Sequence, residues 1–208
     1  MSDSSRVFLR HGDSGALVQA DLLDGVSLDA VKEAEALWQP FLIQALEQAR
    51  AAGAISFDLP EHKHWDWLRK ARYALVRQNF RLLGVICEGE MQGLTILRTD
   101  HTSRLAEMLG EPLVYVDYLA AAPWNLRGLA SVPRFAGVGR VLIGAAVQVS
   151  QVQGWEGPVG LHSLPQAESF YRRTCRMQDL GRDDHYDKLR YFELSTADAD
   201  TFLQGGSR

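Results

Sequence analysis

The chain has 208 residues, of which 46% are hydrophobic, 23% charged and 9% aromatic; this is enough apolar material for a substantial core and excludes the disordered, collagenous and fibrous classes. A formal net charge of -4 with a pI near 5.9 leaves no overall basic footprint for nucleic acid or anionic lipid, although Arg and Lys cluster at 69–81 and 172–176. Cys87 and Cys175 make neither a disulfide framework nor a zinc-ligand pattern, no stretch approaches the ~20 apolar residues of a membrane span, and the first ten residues carry no secretory signal, so a cytoplasmic protein without metal is expected.

No internal repeat, low-complexity tract or long linker divides the chain. One domain over 1–208 is expected, with strands and helices in 1–80, a sheet-bearing core in 81–195 and a tail in 196–208. Within 27–52, Val31, Ala34, Trp38, Phe41, Ala45 and Ala49 recur in steps of three and four behind Ser27 as N-cap, which predicts an amphipathic helix. Pro40 removes a backbone donor inside that pattern, so two consecutive helical pieces are expected. A second helix is expected over 62–76, with Trp65, Leu68, Ala71 and Leu75 on its packed face.

Segments 81–88 and 91–98 are rich in Val, Ile, Leu and Thr, and Glu88-Gly89-Glu90 between them supplies the turn of a hairpin. A short helix over 102–108, ended by Gly110, precedes a strand at 113–120 that Pro123 closes. The connection over 123–136 is longer than usual, which marks it as functional. A helix over 138–152, a strand over 158–164, a helix over 165–176 opened by Pro165, and a strand over 189–194 follow, with a short helix at 198–203. This order implies an α/β (α+β) fold in which helices flank a mixed sheet.

The stretch Arg134-Phe135-Ala136-Gly137-Val138-Gly139-Arg140 runs into the first turn of a predicted helix, where unpaired N–H groups and the positive dipole end favour anions. A P-loop needs Lys-Ser/Thr after the last glycine, whereas Gly139 is followed by Arg140 and Val141. A dinucleotide fingerprint needs a third glycine where Leu142 stands, and an acidic residue ending the next strand where His162-Ser163 stands. Neither nucleotide motif is present.

What remains is Arg/Gln-x-x-Gly-x-Gly/Ala, filled by Arg134, Gly137 and Gly139, and with it the chain resembles the GCN5-related N-acetyltransferase (GNAT) superfamily. Leu119-Ala120-Ala121-Ala122-Pro123 looks like that family's Leu-x-Val-x-Pro strand end, and Ala167 with Tyr171 looks like its Ala-x-x-x-Tyr helix. The resemblance implies the GNAT acyl-CoA acyltransferase fold, a mixed, mostly antiparallel sheet flanked by helices. It also implies acetyl-CoA or another acyl-CoA as co-substrate and a small-molecule or peptide amine as acceptor, and it allows a homodimer.

By the same resemblance, Arg134, Phe135, Ala136, Gly137, Val138, Gly139 and Arg140 would hold the pyrophosphate, largely through backbone N–H groups. Leu119, Ala120 and Ala121 would face pantetheine and the thioester oxygen in the manner of an oxyanion hole. Acylating an amine moves two protons, because the acceptor is mostly ammonium at neutral pH and the departing thiolate takes one up. Tyr171 matches the family's proton donor to sulfur, against the alternative of a packing residue. Asp117 and His162 are the candidate bases, against a solvent-facing carboxylate, a structural histidine and relay by water.

Trp124, Asn125 and Arg127 are candidate acceptor contacts, the alternative being a packed loop. Cys175 is read as packing, with no His partner near it in sequence. The family usually has a Gly-hydrophobic pair after the Tyr helix, whereas this chain has Cys175-Arg176-Met177. The absence of a clear base keeps a non-catalytic acyl-CoA sensor as the second reading.

Overall fold

In the computed structural model, which describes residues 3–51 and 65–205, the chain opens with an antiparallel hairpin, β1 (Asp3–His11) and β2 (Leu17–Asp24). Strands were expected in this part of the chain without bounds. Their alternation is blurred at the sequence level because Phe8 and Leu17 are exposed apolar residues while Leu9, Ala20 and Leu22 point into the core.

Helix α1 (Leu28–Ala51) starts as expected at Ser27, whose hydroxyl accepts from the N–H of Ala30 at 3.2 Å. It runs through Pro40 as one helix rather than two pieces. Pro40 and Ala36, the residue whose carbonyl loses its helical donor there, are both exposed, so the lost bond falls on the solvent side, while Val31, Ala34, Trp38 and Ala45 keep both halves packed. Ala52, the expected end, and 62–64, the expected start of the next helix, lie outside the described residues.

Helix α2 (Trp67–Leu75) is shorter than expected and is capped by Asp66, which accepts from the N–H of Arg69 at 2.7 Å. Its buried face is Trp67, Ala71 and Ala74; Trp65 precedes the helix and Leu75 is exposed. The expected hairpin is present as β3 (Phe80–Cys87) and β4 (Glu90–Thr102), with Glu88 and Gly89 both at positive φ, as a two-residue turn between right-twisted strands requires. β4 absorbs the start of the helix expected at 102–108, which shrinks to a 3₁₀ turn at Ala106–Met108.

Then come β5 (Pro112–Ala121), a 3₁₀ turn at Pro123–Asn125, β6 (Phe135–Ala136), α3 (Val138–Val152) and β7 (Val159–Ser163). The helix expected at 165–176 begins as a 3₁₀ turn and ends as a π turn, closed by the Cys175 N–H donating to the Phe170 carbonyl at 3.0 Å. β8 (Gln178–Arg182), β9 (Arg190–Leu194) and α4 (Thr196–Gln204) complete the described chain.

Among the described residues the strands form one sheet in the order β6-β1-β2-β3-β4-β5-β7-β9-β8, antiparallel except where β5 runs parallel to β7. α3 and α4 cover one face, packing Leu142, Ile143, Ala146 and Phe202 against Val116, Leu161 and Phe192. α1 and α2 cover the other, packing Val31, Trp38 and Trp67 against Leu82, Leu94 and Ile96. No described helix is long and apolar enough to cross a membrane.

Candidate active site

β5 and β7 pair only through Val114↔Val159, Tyr115↔Gly160 and Val116↔Leu161, and then part. The cause is a bulge in β5: Leu97 of β4 faces Val116 and Ile96 faces Tyr118, which leaves Asp117 as the extra residue and bends the strand there. Beyond it β5 stays paired to β4, while its other edge borders a cleft of about 1110 Å³.

The N–H of Ala122 donates to the Gln92 carbonyl on β4 at 2.8 Å. Backbone groups alternate sides along an antiparallel strand, so Leu119 and Ala121 turn theirs to the open edge and Ala120 turns its own to β4. All three residues line the cleft.

One end of the cleft is the start of α3. Gly137 is its N-cap at φ +98, a conformation that side-chain-bearing residues rarely adopt, and it offers no capping side chain. The first helical bond here is from Val141 N–H to the Gly137 carbonyl at 2.9 Å, so the N–H groups of Val138, Gly139 and Arg140 precede the helix ladder. A Cβ on Gly139 would lie 3.1 Å from Phe170 Cζ, which shows how closely the Tyr171 helix approaches this turn. β6 fastens the loop to the sheet edge by pairing Phe135 and Ala136 with His11 and Arg10. Phe135, Ala136, Gly137, Val138 and Gly139 line the cleft.

The side chains of Arg134 and Arg140, expected in the phosphate loop, are engaged elsewhere and do not line the cleft. Arg134 forms ion pairs with Glu90 and, at 2.9 Å, with Glu88; Arg140 donates to the carbonyls of Phe202 and Thr174 and lies over the Phe202 ring. Trp124 also stays outside it, donating to Gln92 Oε1 at 2.8 Å and packing edge-on to Phe41. Asn125 lines the cleft yet is committed to the loop, accepting from Phe135 N–H at 2.8 Å and donating to Gln92 Oε1 at 3.0 Å. The buried Gln92 organises this loop, and nothing in the sequence pattern marked it. Arg127 lines the cleft.

Tyr171, Asp117 and His162 meet in the same cleft. Tyr171 is 7% exposed, and burial raises its pKa, so the phenol stays protonated. Burial likewise raises the Asp117 carboxyl, opposed by Arg98 and Lys70. His162 is held at both nitrogens, Nδ1 against the Tyr115 hydroxyl at 2.8 Å and Nε2 against Asp183 at 3.1 Å, and it stacks on Tyr186 at 4.0 Å between centroids. Burial lowers its pKa. Asp183 lies well below the usual carboxylate range because Arg104 donates to it, helped by the His185 N–H. The arrangement is that of a structural histidine. Cys175 is fully buried with its thiol pushed up to about 12, an inert packing group.

Residues the sequence did not single out form the opposite wall: Trp65, Arg69 and Lys70 from the α2 end, Tyr115 and Tyr118 from β5, and Tyr186 from the β8–β9 loop. The Lys70 ammonium sits 3.4 Å from the Tyr118 ring centroid and 5.0 Å from that of Trp65. The basic cluster at 69–81 was the one sequence signal for this wall.

No protein-family model and no curated protein matches the chain. Solved structures do match. An uncharacterized protein from Bacillus halodurans aligns over 97% of this chain and 96% of its own, with a TM-score of 0.58 at 10% identity. A GNAT-family acetyltransferase from Listeria monocytogenes aligns over 91% and 99%, with 0.54 at 11% identity. FeeM, an N-acyl amino acid synthase from uncultured soil microbes, aligns over 88% and 95%, with 0.53 at 12% identity. The chain shares the fold of these structures, one of them a GNAT-family acetyltransferase: a mixed, mostly antiparallel sheet flanked by helices, as the three sequence landmarks implied.

Proposed function

We propose that this protein is an N-acyltransferase that moves an acetyl or related acyl group from coenzyme A to a primary amine by direct attack. The observation that carries the reading is the meeting of two sets of backbone donors in one cleft: the uncapped start of α3 and the open edge of β5 past its bulge. The first suits a pyrophosphate, and the second suits pantetheine and the thioester oxygen. Two of the fold relatives bear the names of acyl-transfer enzymes, which is consistent with it.

In this reaction the amine nitrogen attacks the thioester carbon, the C–N bond forms, and the C–S bond breaks. An N–H on the open edge at Leu119 or Ala121 stabilises the oxyanion of the tetrahedral intermediate. Nitrogen sheds two protons in all: Asp117 takes one, directly or through water, and the other replaces the proton that Tyr171 gives the sulfur. A phenol is a weaker acid than a thiol of pKa ~8.5, so Tyr171 acts first as a hydrogen-bond donor that follows the growing charge on sulfur. His162 positions Tyr115 and the 183–189 loop and is not assigned the base role.

The test is release of free CoA thiol from acetyl-CoA across a panel of primary amines. Amine-dependent release is expected. Saturable acetyl-CoA binding with no turnover on any amine would instead favour the sensor reading.

A further inference from the structure

The cations lining the cleft are unevenly distributed. Among the described residues, ion pairs within 4 Å engage Arg81, Arg98, Arg104, Arg134, Arg172 and Arg190, and not the four cations that line the cleft. Two of those four, Arg127 and Arg173, belong to the loop after β5 and to the Tyr171 helix, the segments on either side of the α3 start in sequence, where the pyrophosphate is placed. The other two, Arg69 and Lys70, stand on α2 across the cleft, in a chain whose net charge is -4. No cofactor phosphate is expected there.

Facing them on β5 is Asp117, held at the bulge beside the strand end assigned to the thioester. Burial pulls the Lys70 ammonium below its ordinary pKa, with Asp117 partly opposing, and burial raises Asp117, with Arg98 and Lys70 opposing. Each group therefore gains from a further opposite charge brought into the cleft. Between them the walls are aromatic, made by Trp65, Tyr118 and Tyr186.

We infer that the acceptor is a zwitterion: a free amino acid with an aromatic or large apolar side chain. Its ammonium is directed to Asp117, its carboxylate to Lys70 and Arg69, and its side chain to the aromatic wall. The inference rests on the N-acyltransferase reading and deepens it. Asp117 would then orient the amine that it deprotonates. Lys70 would leave the Tyr118 ring for the carboxylate, a short movement for a flexible stem.

The experiment compares kcat/KM for phenylalanine and for phenethylamine, which differ by the carboxylate, with acetyl-CoA saturating. In the parent protein phenylalanine should be favoured about tenfold or more, the usual worth of a charge-assisted hydrogen bond. That ratio should fall toward one in Lys70→Met, with the loss in KM, and be largely kept in Lys70→Arg. Circular dichroism and acetyl-CoA affinity confirm that each variant is folded. Calorimetric titration of phenylalanine into the CoA-loaded protein should give binding that Lys70→Met weakens by a similar factor.

Equal or better use of phenethylamine overturns the zwitterion inference while leaving the N-acyltransferase reading in place, as does a Lys70→Met loss shared equally by both amines. Absence of phenylalanine binding to the CoA-loaded protein also overturns it. A protein that binds no acyl-CoA removes both readings.

Discussion

Across the cleft, one wall is made of backbone and the other of side chains. The wall proposed for the cofactor consists of the α3 start with Gly137 at φ +98 and the β5 edge freed by the Asp117 bulge, so what it offers a ligand is N–H groups. The wall proposed for the acceptor is Lys70, Arg69, Trp65, Tyr118 and Tyr186, brought together from α2 and the residues just before it, β5 and the β8–β9 loop. Backbone donors tolerate almost any residue that permits the conformation, whereas a side-chain wall changes its chemistry with each substitution. A wall of the first kind suits a constant ligand, and one of the second kind suits selection among acceptors.

The largest effects are expected from breaking the backbone wall. Gly137→Val forces a branched side chain into the left-handed region and misdirects the N–H groups. Acetyl-CoA affinity, read by calorimetry, should fall on the order of 100-fold, since two charge-assisted hydrogen bonds are worth roughly 3 kcal/mol. Wild-type affinity in this variant would mean that phosphate is held elsewhere.

Tyr171→Phe sharpens the contrast from the chemical side. Turnover should drop on the order of 100-fold with acetyl-CoA affinity preserved, the pattern of a proton donor rather than a binding group. Equal kcat in the two proteins would reduce Tyr171 to packing.

Asp117→Asn should lower kcat by about tenfold or more while stabilising the fold. The sign follows from burial, which raises the folded-state pKa of Asp117 above its ordinary 3.8. The protonated form is thus the favoured one in the fold, and its contribution is lost as pH rises through the folded value. Urea denaturation should show parent and variant alike well below pH 3.8, the variant gaining as pH rises from there to the folded value, and a constant lead above it. A gap that instead widens toward acid would contradict the assignment.

His162 and His101 are both lowered by burial from an ordinary 6.5, so stability should be full above pH 6.5 and decline as pH falls toward their folded values. His162→Gln should flatten part of that decline between pH 7 and 5 in denaturation midpoints. An unchanged slope would mean that His162 is not kept neutral by the fold.

The smallest effect concerns the turn after the Tyr171 helix. Arg176 adopts φ +57, a region that glycine occupies without strain, and the Met177 N–H closes the turn on the Tyr171 carbonyl at 3.0 Å. Arg176→Gly should add about 1 kcal/mol of stability by relieving the left-handed strain. Urea denaturation reads this directly, and destabilisation would show that the Arg176 side chain makes a contact outweighing the strain.

The same contrast explains what could be read from the residues alone. The expected 138–152 helix coincides with α3, and the 113–120 strand lies within β5, because glycine and proline punctuate both and apolar runs fill them. The glycine turn at the α3 start was legible for the same reason, since a turn built on positive φ leaves glycine behind. β8, with only Asp179 and Gly181 partly covered, carries no apolar period and was missed, and the β1–β2 hairpin, with its exposed Phe8 and Leu17, was expected only as strands without bounds. Lys70 and Trp65 reach the site by packing against each other and the Tyr118 ring of β5, contacts that no local spacing encodes. His162 fell between the two cases: its residue type suggested a base, while its partners Tyr115 and Asp183 come from other elements and hold both nitrogens.

The central claim is that this cleft binds acyl-CoA through the backbone groups of the α3 start and the open β5 edge. Calorimetric titration of acetyl-CoA into the purified protein tests it most directly. Saturable binding with one site per chain, weakening as salt is raised, is expected; no binding of acetyl-CoA or of any longer acyl-CoA would contradict the account.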